Sequence, residues 1–336
     1  MVSSSTSRGN TRRIGKALLG LVGALLALAV AGAIYQAIAT ELAERAYPPP
    51  GEMVNVGGHR LHINCIGRGG PAVILGSGLG NMSADWANVQ PEVAKTTRVC
   101  AYDRAGMGWS EAGPEPRDAK QISGELHTLL KGADIAGPYV LVGHSTGGLY
   151  ARMYADRYPE EVAGVVLIDS SHPEQFTRPE GRKYYDPTKR VVTVAPWLAR
   201  LGVIRLFDLN PAPRGLPPKQ RAQVEAFNSS TQQLATAAEE FRLILQTSAQ
   251  VRGTDGLGGK PLVVISAGES SPGNFPASYW LKLQGELASL SSNSLHRVVE
   301  GATHTSLLYE RSDSQASGAA IDEVVAAVRN DRPLAR

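Results

Sequence analysis

The sequence predicts an α/β fold: an eight-stranded, mostly parallel sheet with helices on both faces and a helical cap inserted after the sixth strand. Three observations predict it. Short apolar runs alternate with segments of helical periodicity from about Met53 to Val328. Several of those runs, such as Ala72-Val73-Ile74-Leu75-Gly76, are apolar throughout, as strands buried on both faces are. One stretch, from about Pro173 to Asp255, breaks the alternation: helical segments such as Lys219 to Phe227 and Gln232 to Val251 alternate with Pro-rich turns, without a convincing strand.

The elements follow in chain order. Met1 to Asn10 is rich in Ser and Thr and reads as disordered. With Arg8, Arg12, Arg13 and Lys16, residues 1–16 form a basic tail. From Ala17 to Ala39 no charge occurs, and only Tyr35 and Gln36 are polar. As a helix this stretch would be about 34 Å long, enough for a hydrocarbon core of about 30 Å. Basic residues precede it and Glu41 and Glu44 follow it, so the positive-inside rule leaves the N-terminus in the cytoplasm and the rest of the chain outside. A cleavable signal peptide is the rival reading, because Ala37-Ile38-Ala39 has the small-x-small form of a cleavage site. The Arg12-Arg13 pair lacks the apolar residues of a twin-arginine signal. The length of the span favours an uncleaved anchor in the lipid bilayer over a secreted product. Residues 40–51, ending in Tyr47-Pro48-Pro49-Pro50-Gly51, read as a stiff Pro-rich spacer.

Strands are predicted over MVNVGG and RLHINCIG, joined by the Gly57-Gly58 turn, then over PAVILGSG, TRVCAYD, YVLVGHS, VAGVVLID, PLVVISAG and SLHRVVEG. Helices are predicted at about Asp85 to Lys95, Asp118 to Ala133, Gly147 to Tyr158, Tyr279 to Leu290 and Ala316 to Val328. The core therefore comprises residues 52–172 and 256–336, with the cap at 173–255. The net charge of +3 is carried largely by the N-terminal tail, and no basic stripe interleaves with aromatics, so nucleic-acid binding is excluded. Oligomeric state is not encoded legibly.

Chemistry centres on Gly143-His144-Ser145-Thr146-Gly147, which follows a strand and opens a helix. A G-x-S-x-G in that context lifts the serine onto a sharp turn at the sheet's C-terminal edge, where glycine is needed because side chains would clash. A serine hydroxyl needs a base to act as a nucleophile. Among the histidines, His59 and His62 lie in the first hairpin, His127 in a helix, His144 beside the serine and His296 inside a strand. His304 ends a strand at the edge that carries Ser145.

Further motifs accompany the elbow. They are Gly76-Ser77-Gly78-Leu79-Gly80 after the third strand, Tyr102-Asp103-Arg104-Ala105-Gly106-Met107-Gly108-Trp109-Ser110 after the fourth, and Gly301-Ala302-Thr303-His304 after the last. With these the chain resembles the α/β-hydrolase superfamily over about Met53 to Val328. The resemblance implies a serine hydrolase with nucleophile Ser145 and base His304, and an oxyanion hole built from the backbone N–H groups of Leu79 and Thr146. It implies no cofactor. Many relatives have histidine where this chain has Ser77, which removes a supporting side chain. The Asp103-Arg104 turn reads as structural.

The third triad member is an acid that orients the histidine. In most relatives it follows strand seven, typically as an Asp three residues after a glycine; that slot here is Ser271. Glu269 stands directly after the glycine. A minority, including haloalkane dehalogenase relatives, place the acid after strand six, where Asp169 stands. Asp169 is preferred and Glu269 is the alternative. Cys65 and Cys100, the only cysteines, fall on strands that are antiparallel neighbours if the family's strand order holds, so a disulfide is possible, with two free thiols as the alternative. No metal site is expected: on one strand His59 and His62 would point to opposite faces. Gly253 to Gly259 opens no helix and is not a phosphate loop.

The expected activity is hydrolysis of a small-molecule carboxylic ester through an acyl-enzyme on Ser145, with Leu198, Leu201, Val203, Ile204 and Phe207 making the cap apolar. Amide or peptide hydrolysis, as in relatives resembling proline iminopeptidase, is the nearest alternative. A non-catalytic membrane-tethered binding module is the rival from another class.

Overall fold

The computed structural model describes residues 5–269 and 275–335. A long helix, α1 (Ser5–Ala46), leads into the sheet strands β1 (Glu52–Asn55), β2 (Arg60–Ile66) and β3 (Val73–Gly76). A 3-10 turn at Ser83–Trp86 and the short α2 (Gln90–Val93) precede β4 (Val99–Tyr102). Then come α3 (Ala119–Gly132), β5 (Tyr139–His144), α4 (Gly147–Arg157) and β6 (Val162–Ile168). The cap holds α5 (Pro179–Arg200), α6 (Val203–Leu206), α7 (Pro218–Asn228), α8 (Thr231–Arg242) and α9 (Ile244–Arg252). The chain closes with β7 (Leu262–Ala267), α10 (Ala277–Ala288), β8 (Ser294–Val299), α11 (Ser306–Tyr309) and α12 (Arg311–Arg329).

The eight strands form one sheet in the order β1-β2-β4-β3-β5-β6-β7-β8. Pairs β1–β2 and β2–β4 are antiparallel and the rest parallel. The period-2 alternation of strand side chains sorts the core into two layers. Val73, Leu75, Val140, Val142, Val166, Ile168, Val263 and Ile265 face α12 and Trp86. Ile74, Leu141, Val165, Leu167, Leu262 and Val264 face α3 and α4 through Leu126, Leu129, Ala151 and Tyr154. Cys65 and Cys100 stand opposite each other in the β2–β4 register and are joined by a disulfide.

The N-terminal region departs from expectation in two places. Residues 5–10 are helical, continuous with α1, where the composition suggested disorder; residues 1–4 lie outside the described part. The proposed spacer at 40–51 is shorter, because residues 40–46 continue α1. Thr40 to Ala46 are mostly helix formers, Arg45 bonds Glu41 one turn back at 2.8 Å, and the helix ends only as Pro48 approaches. Nor is the remaining link free: the Tyr47 carbonyl accepts from Trp109 Nε1 at 2.7 Å, and the Pro50 carbonyl accepts from His62 Nε2. The Asp85 to Lys95 helix is instead the 3-10 turn followed by α2. In the cap, α5 runs through Pro187 and Pro196, residues that read as turns in the sequence.

Candidate active site

The turn between β5 and α4 is as tight as its sequence requires. Ser145 adopts φ +53°, a left-handed conformation that costs a non-glycine residue energy. The flanking glycines make it possible. A Cβ on Gly143 would stand 2.5 Å from the Gly148 backbone, and one on Gly147 would stand 2.3 Å from the Gly76 carbonyl. The Ser145 N–H donates to the Ile168 carbonyl at 3.2 Å, tying the turn to the end of β6.

Asp169 is the next residue after β6, itself at φ +41° and fully buried. Its Oδ2 lies 2.6 Å from His304 Nδ1. Its Oδ1 accepts the Ala267 N–H at 3.0 Å and Trp280 Nε1 at 2.8 Å. The carboxylate is thus oriented by a strand amide and an indole, and in turn orients the imidazole. His304 sits in the loop between β8 and α11, where Thr303 and Ser306 bond reciprocally across the helix start. The other strand-end acid, Glu269, is exposed, and its carboxylate bonds no described residue; only its N–H is engaged, to the Ala302 carbonyl. Ser271 lies outside the described residues.

His144 stacks on His304 with ring centroids 4.5 Å apart, and its Nε2 is 3.0 Å from the His304 carbonyl. A carbonyl only accepts, so Nε2 carries the proton. Burial, and then the positive charge His304 would carry, push the His144 pKa down to about 3. His144 is therefore a neutral prop that holds the His304 backbone. Ser145 Oγ makes no hydrogen bond among the described residues; such contacts tighten when substrate binds.

The loop after β3 approaches Ser145 closely: a Cβ on Gly78 would stand 3.0 Å from Ser145 Cβ. The N–H groups of Leu79 and Thr146 donate to no described group. The loop's opposite side is clamped. Arg104 Nη1 donates to the Ser77 carbonyl at 2.6 Å and Nη2 to the Gly78 carbonyl at 2.8 Å. The same guanidinium makes a bidentate pair with Glu240 of α8 at 2.8 and 2.9 Å. Burial opposes the charge on Arg104, but Glu240 outweighs it and holds the guanidinium protonated more firmly than usual. Ser77 also supports the loop, accepting from Trp86 Nε1 at 2.9 Å and donating to the Met82 carbonyl at 3.1 Å.

The sequence profile described as the alpha/beta hydrolase fold matches residues 71–310. The chain belongs to the α/β-hydrolase family. An uncharacterised Schizosaccharomyces pombe protein is 30% identical over 222 residues, 65% of this chain and 39% of that protein. This α/β hydrolase spans about two fifths or less of the length of the first curated relatives it matches. Among solved structures, a thermophilic esterase from Thermogutta terrifontis superposes with TM-score 0.60 and 18% identity, covering 82% of this chain and 98% of that one. The enol-lactonase from Burkholderia xenovorans LB400 gives TM-score 0.60 and 20% identity, covering 82% and 100%. At these identities the likeness speaks to fold.

In this hydrolase a cavity of about 690 Å³ lies between the cap and the loop after β3. Leu198, Ile204 and Leu234 line its apolar side, and Leu79, Gly80 and Asn81 form its inner end. Ser145 and His304 are not among its lining residues, whereas Leu79, which follows Gly78, is. His59 and His62 belong to different clusters. His59 lies in the turn before β2, 3.5 Å from Glu125, whereas His62 is on β2, 2.8 Å from Asp103. His172, Glu174 and Glu286 come together like metal ligands, but Arg178 already pairs with both carboxylates. The Asp103-Arg104 turn reads as structural in the sequence, and Arg104 holds the loop after β3; the residue that sequence reasoning missed is its partner Glu240. The available signal was a lone acid on the α8 face shared by Gln233, Ala237 and Phe241.

Proposed function

We propose that this α/β hydrolase is a membrane-anchored serine hydrolase that cleaves carboxylic esters outside the cytoplasm. The observation that carries the reading is the Asp169–His304 bond of 2.6 Å at the sheet edge where the strained Ser145 turn stands. Ser145 Oγ attacks the ester carbonyl while His304 Nε2 takes its proton. Asp169 stabilises the imidazolium and holds its tautomer. Negative charge moves to the carbonyl oxygen, where the N–H groups of Leu79 and Thr146 are free to donate. His304 then returns the proton to the departing alkoxide, leaving an acyl-Ser145. Water, deprotonated by His304, releases the acid and restores the serine.

The esterase and enol-lactonase likenesses are consistent with ester chemistry. Support for the anchor comes from α1, whose stretch Arg13–Ala46 is long and apolar enough to cross a membrane. The test is fluorophosphonate labelling of the full chain, with hydrolysis of esters of graded acyl length. Wild type is expected to label and turn over; Ser145→Ala is expected to do neither while melting normally, since losing the nucleophile alone removes the triad's contribution. Turnover retained by Ser145→Ala overturns the assignment.

A further inference from the structure

The cap carries an apolar surface that no described residue covers. Val191, Val194 and Trp197 on α5, with Leu206, Phe207 and Leu209 at and beyond α6, are each between 50% and 71% exposed. A patch of large apolar side chains this contiguous marks an interaction surface. Its position relative to α1 identifies the partner. A Cβ on Gly32 would stand 2.2 Å from the Leu201 carbonyl, and one on Gly202 would stand 2.9 Å from both the Gly32 carbonyl and the Tyr35 ring. Gln36 Nε2 donates to the Ser229 carbonyl at 2.8 Å, and Arg205 Nε reaches Gln36 Oε1 at 3.4 Å. The helix and the cap are therefore in contact within the apolar span, and the contact continues past it, where Ala43 packs against the cluster that includes Val224 and Phe227. Gly32 lies about 10 Å along the helix from the end of that span at Ala39. Whatever medium surrounds α1 at Gly32 also meets Leu201 and the apolar residues beside it.

The flanking charge fits a lipid surface. Lys189, Arg190 and Arg200 are exposed on α5, and Arg200 lies 4.8 Å over the Trp197 ring. Basic residues and tryptophan around an apolar helix face are the composition of elements that lie in the headgroup boundary, where long cationic side chains reach outward to phosphate. The patch is also continuous with the cavity: Val191, Val194 and Leu209 line both, and Leu79, the neighbour of the Gly78 that approaches Ser145, lines the cavity too.

We propose that the α5–α6 face rests in the outer leaflet of the bilayer that holds α1, and that the cavity draws the acyl chain of a membrane-resident ester from that leaflet toward Ser145. This rests on the anchor and ester-hydrolase readings above. It gives the substrate class as long-chain, lipid-borne esters.

The test uses the full chain in phosphatidylcholine–phosphatidylglycerol vesicles. Both native cysteines are in the disulfide, so single Leu25→Cys, Phe207→Cys and Thr128→Cys variants can each carry one fluorophore, quenched by brominated lipid. Quenching is expected at positions 25 and 207 and not at 128. In parallel, Trp197→Asp with Phe207→Asp, neither of which lines the cavity, should slow hydrolysis of a long-chain ester in the bilayer by about tenfold or more, since carboxylates are expelled from hydrocarbon. Hydrolysis of a water-soluble short-chain ester should be unchanged. Quenching at 25 without quenching at 207 overturns the proposal and leaves the anchor standing. Quenching at neither removes the anchor and the proposal together. Equal loss on both esters overturns delivery from the leaflet, and wild type inactive on both removes the ester-hydrolase reading.

Discussion

Two carboxylates end neighbouring strands at the sheet edge that carries Ser145, and they differ in what holds them. Asp169 is buried, receives an amide and an indole N–H, and meets His304; Glu269 is exposed and meets no described side chain. Asp169→Asn is expected to lower kcat by about 10⁴, by analogy with serine-protease triads in which the amide imposes the wrong tautomer. Glu269→Gln should change little. The comparison is made by kcat on variants matched in circular dichroism and melting. If Glu269→Gln inactivates a folded enzyme and Asp169→Asn does not, Asp169 is not the orienting acid. The two acids were legible as candidates from their strand-end positions, and position already favoured Asp169; what holds its carboxylate was not legible, because Trp280 lies more than a hundred residues away in sequence. His144 adds a pH dependence that its position beside the nucleophile did not reveal. Its folded pKa lies near 3, below the ordinary 6.5, so the unfolded chain takes up a proton that the folded one refuses. The resulting stability is complete above pH 6.5 and is lost as pH falls toward about 3. Urea midpoints should therefore fall across that range, and His144→Gln, which keeps a donor for the His304 carbonyl, should flatten the slope; an unchanged slope in the variant excludes His144 as its source.

At the level of elements, the central parallel strands were readable because strands buried on both faces are uninterrupted apolar runs, while β1 and β2 were marked by the glycine turn between them; each of the eight predicted runs carries a strand. The cap was readable only in outline. Pro187 and Pro196 disguise α5, which is nevertheless a helix of 22 residues packed along α8. The supports of the loop after β3 were hidden for a different reason. Arg104 and Glu240 come from elements separated by 136 residues, and an ion pair leaves no local pattern. Removing one partner strands a buried charge, which costs about 3–5 kcal/mol. Glu240→Gln should accordingly lower the melting temperature. At temperatures where it stays folded, it should lower kcat more than it raises KM, because the loop's amides act on charge that develops in the transition state. A variant with unchanged kcat and raised KM would assign Glu240 to substrate binding instead. The disulfide adds to the rigidity of the antiparallel edge. Closing its 35-residue separation is worth about 4 kcal/mol in the chain-entropy model.

For the whole molecule, the span from Ala17 to Ala39 was legible from hydropathy, whereas its docking on the cap was not, because that depends on which helix face carries Gly32 and Gln36. The docking bears on the fate of α1. Cleavage after Ala39 would strip Gln36 from the Ser229 carbonyl and from Arg205, leaving buried polar groups of the cap to find water. The mature protein is therefore expected to retain α1, with its body outside the cytoplasm. N-terminal sequencing of the purified protein checks the first point, and a C-terminal reporter active only outside the cytoplasm checks the second. A mature chain beginning at Thr40 would contradict retention. The Arg104–Glu240 pair has one further consequence, in the mechanics of the molecule. It rivets α8 to the turn after β4, so the cap cannot swing away as a hinged lid without exposing two charges to each other's loss.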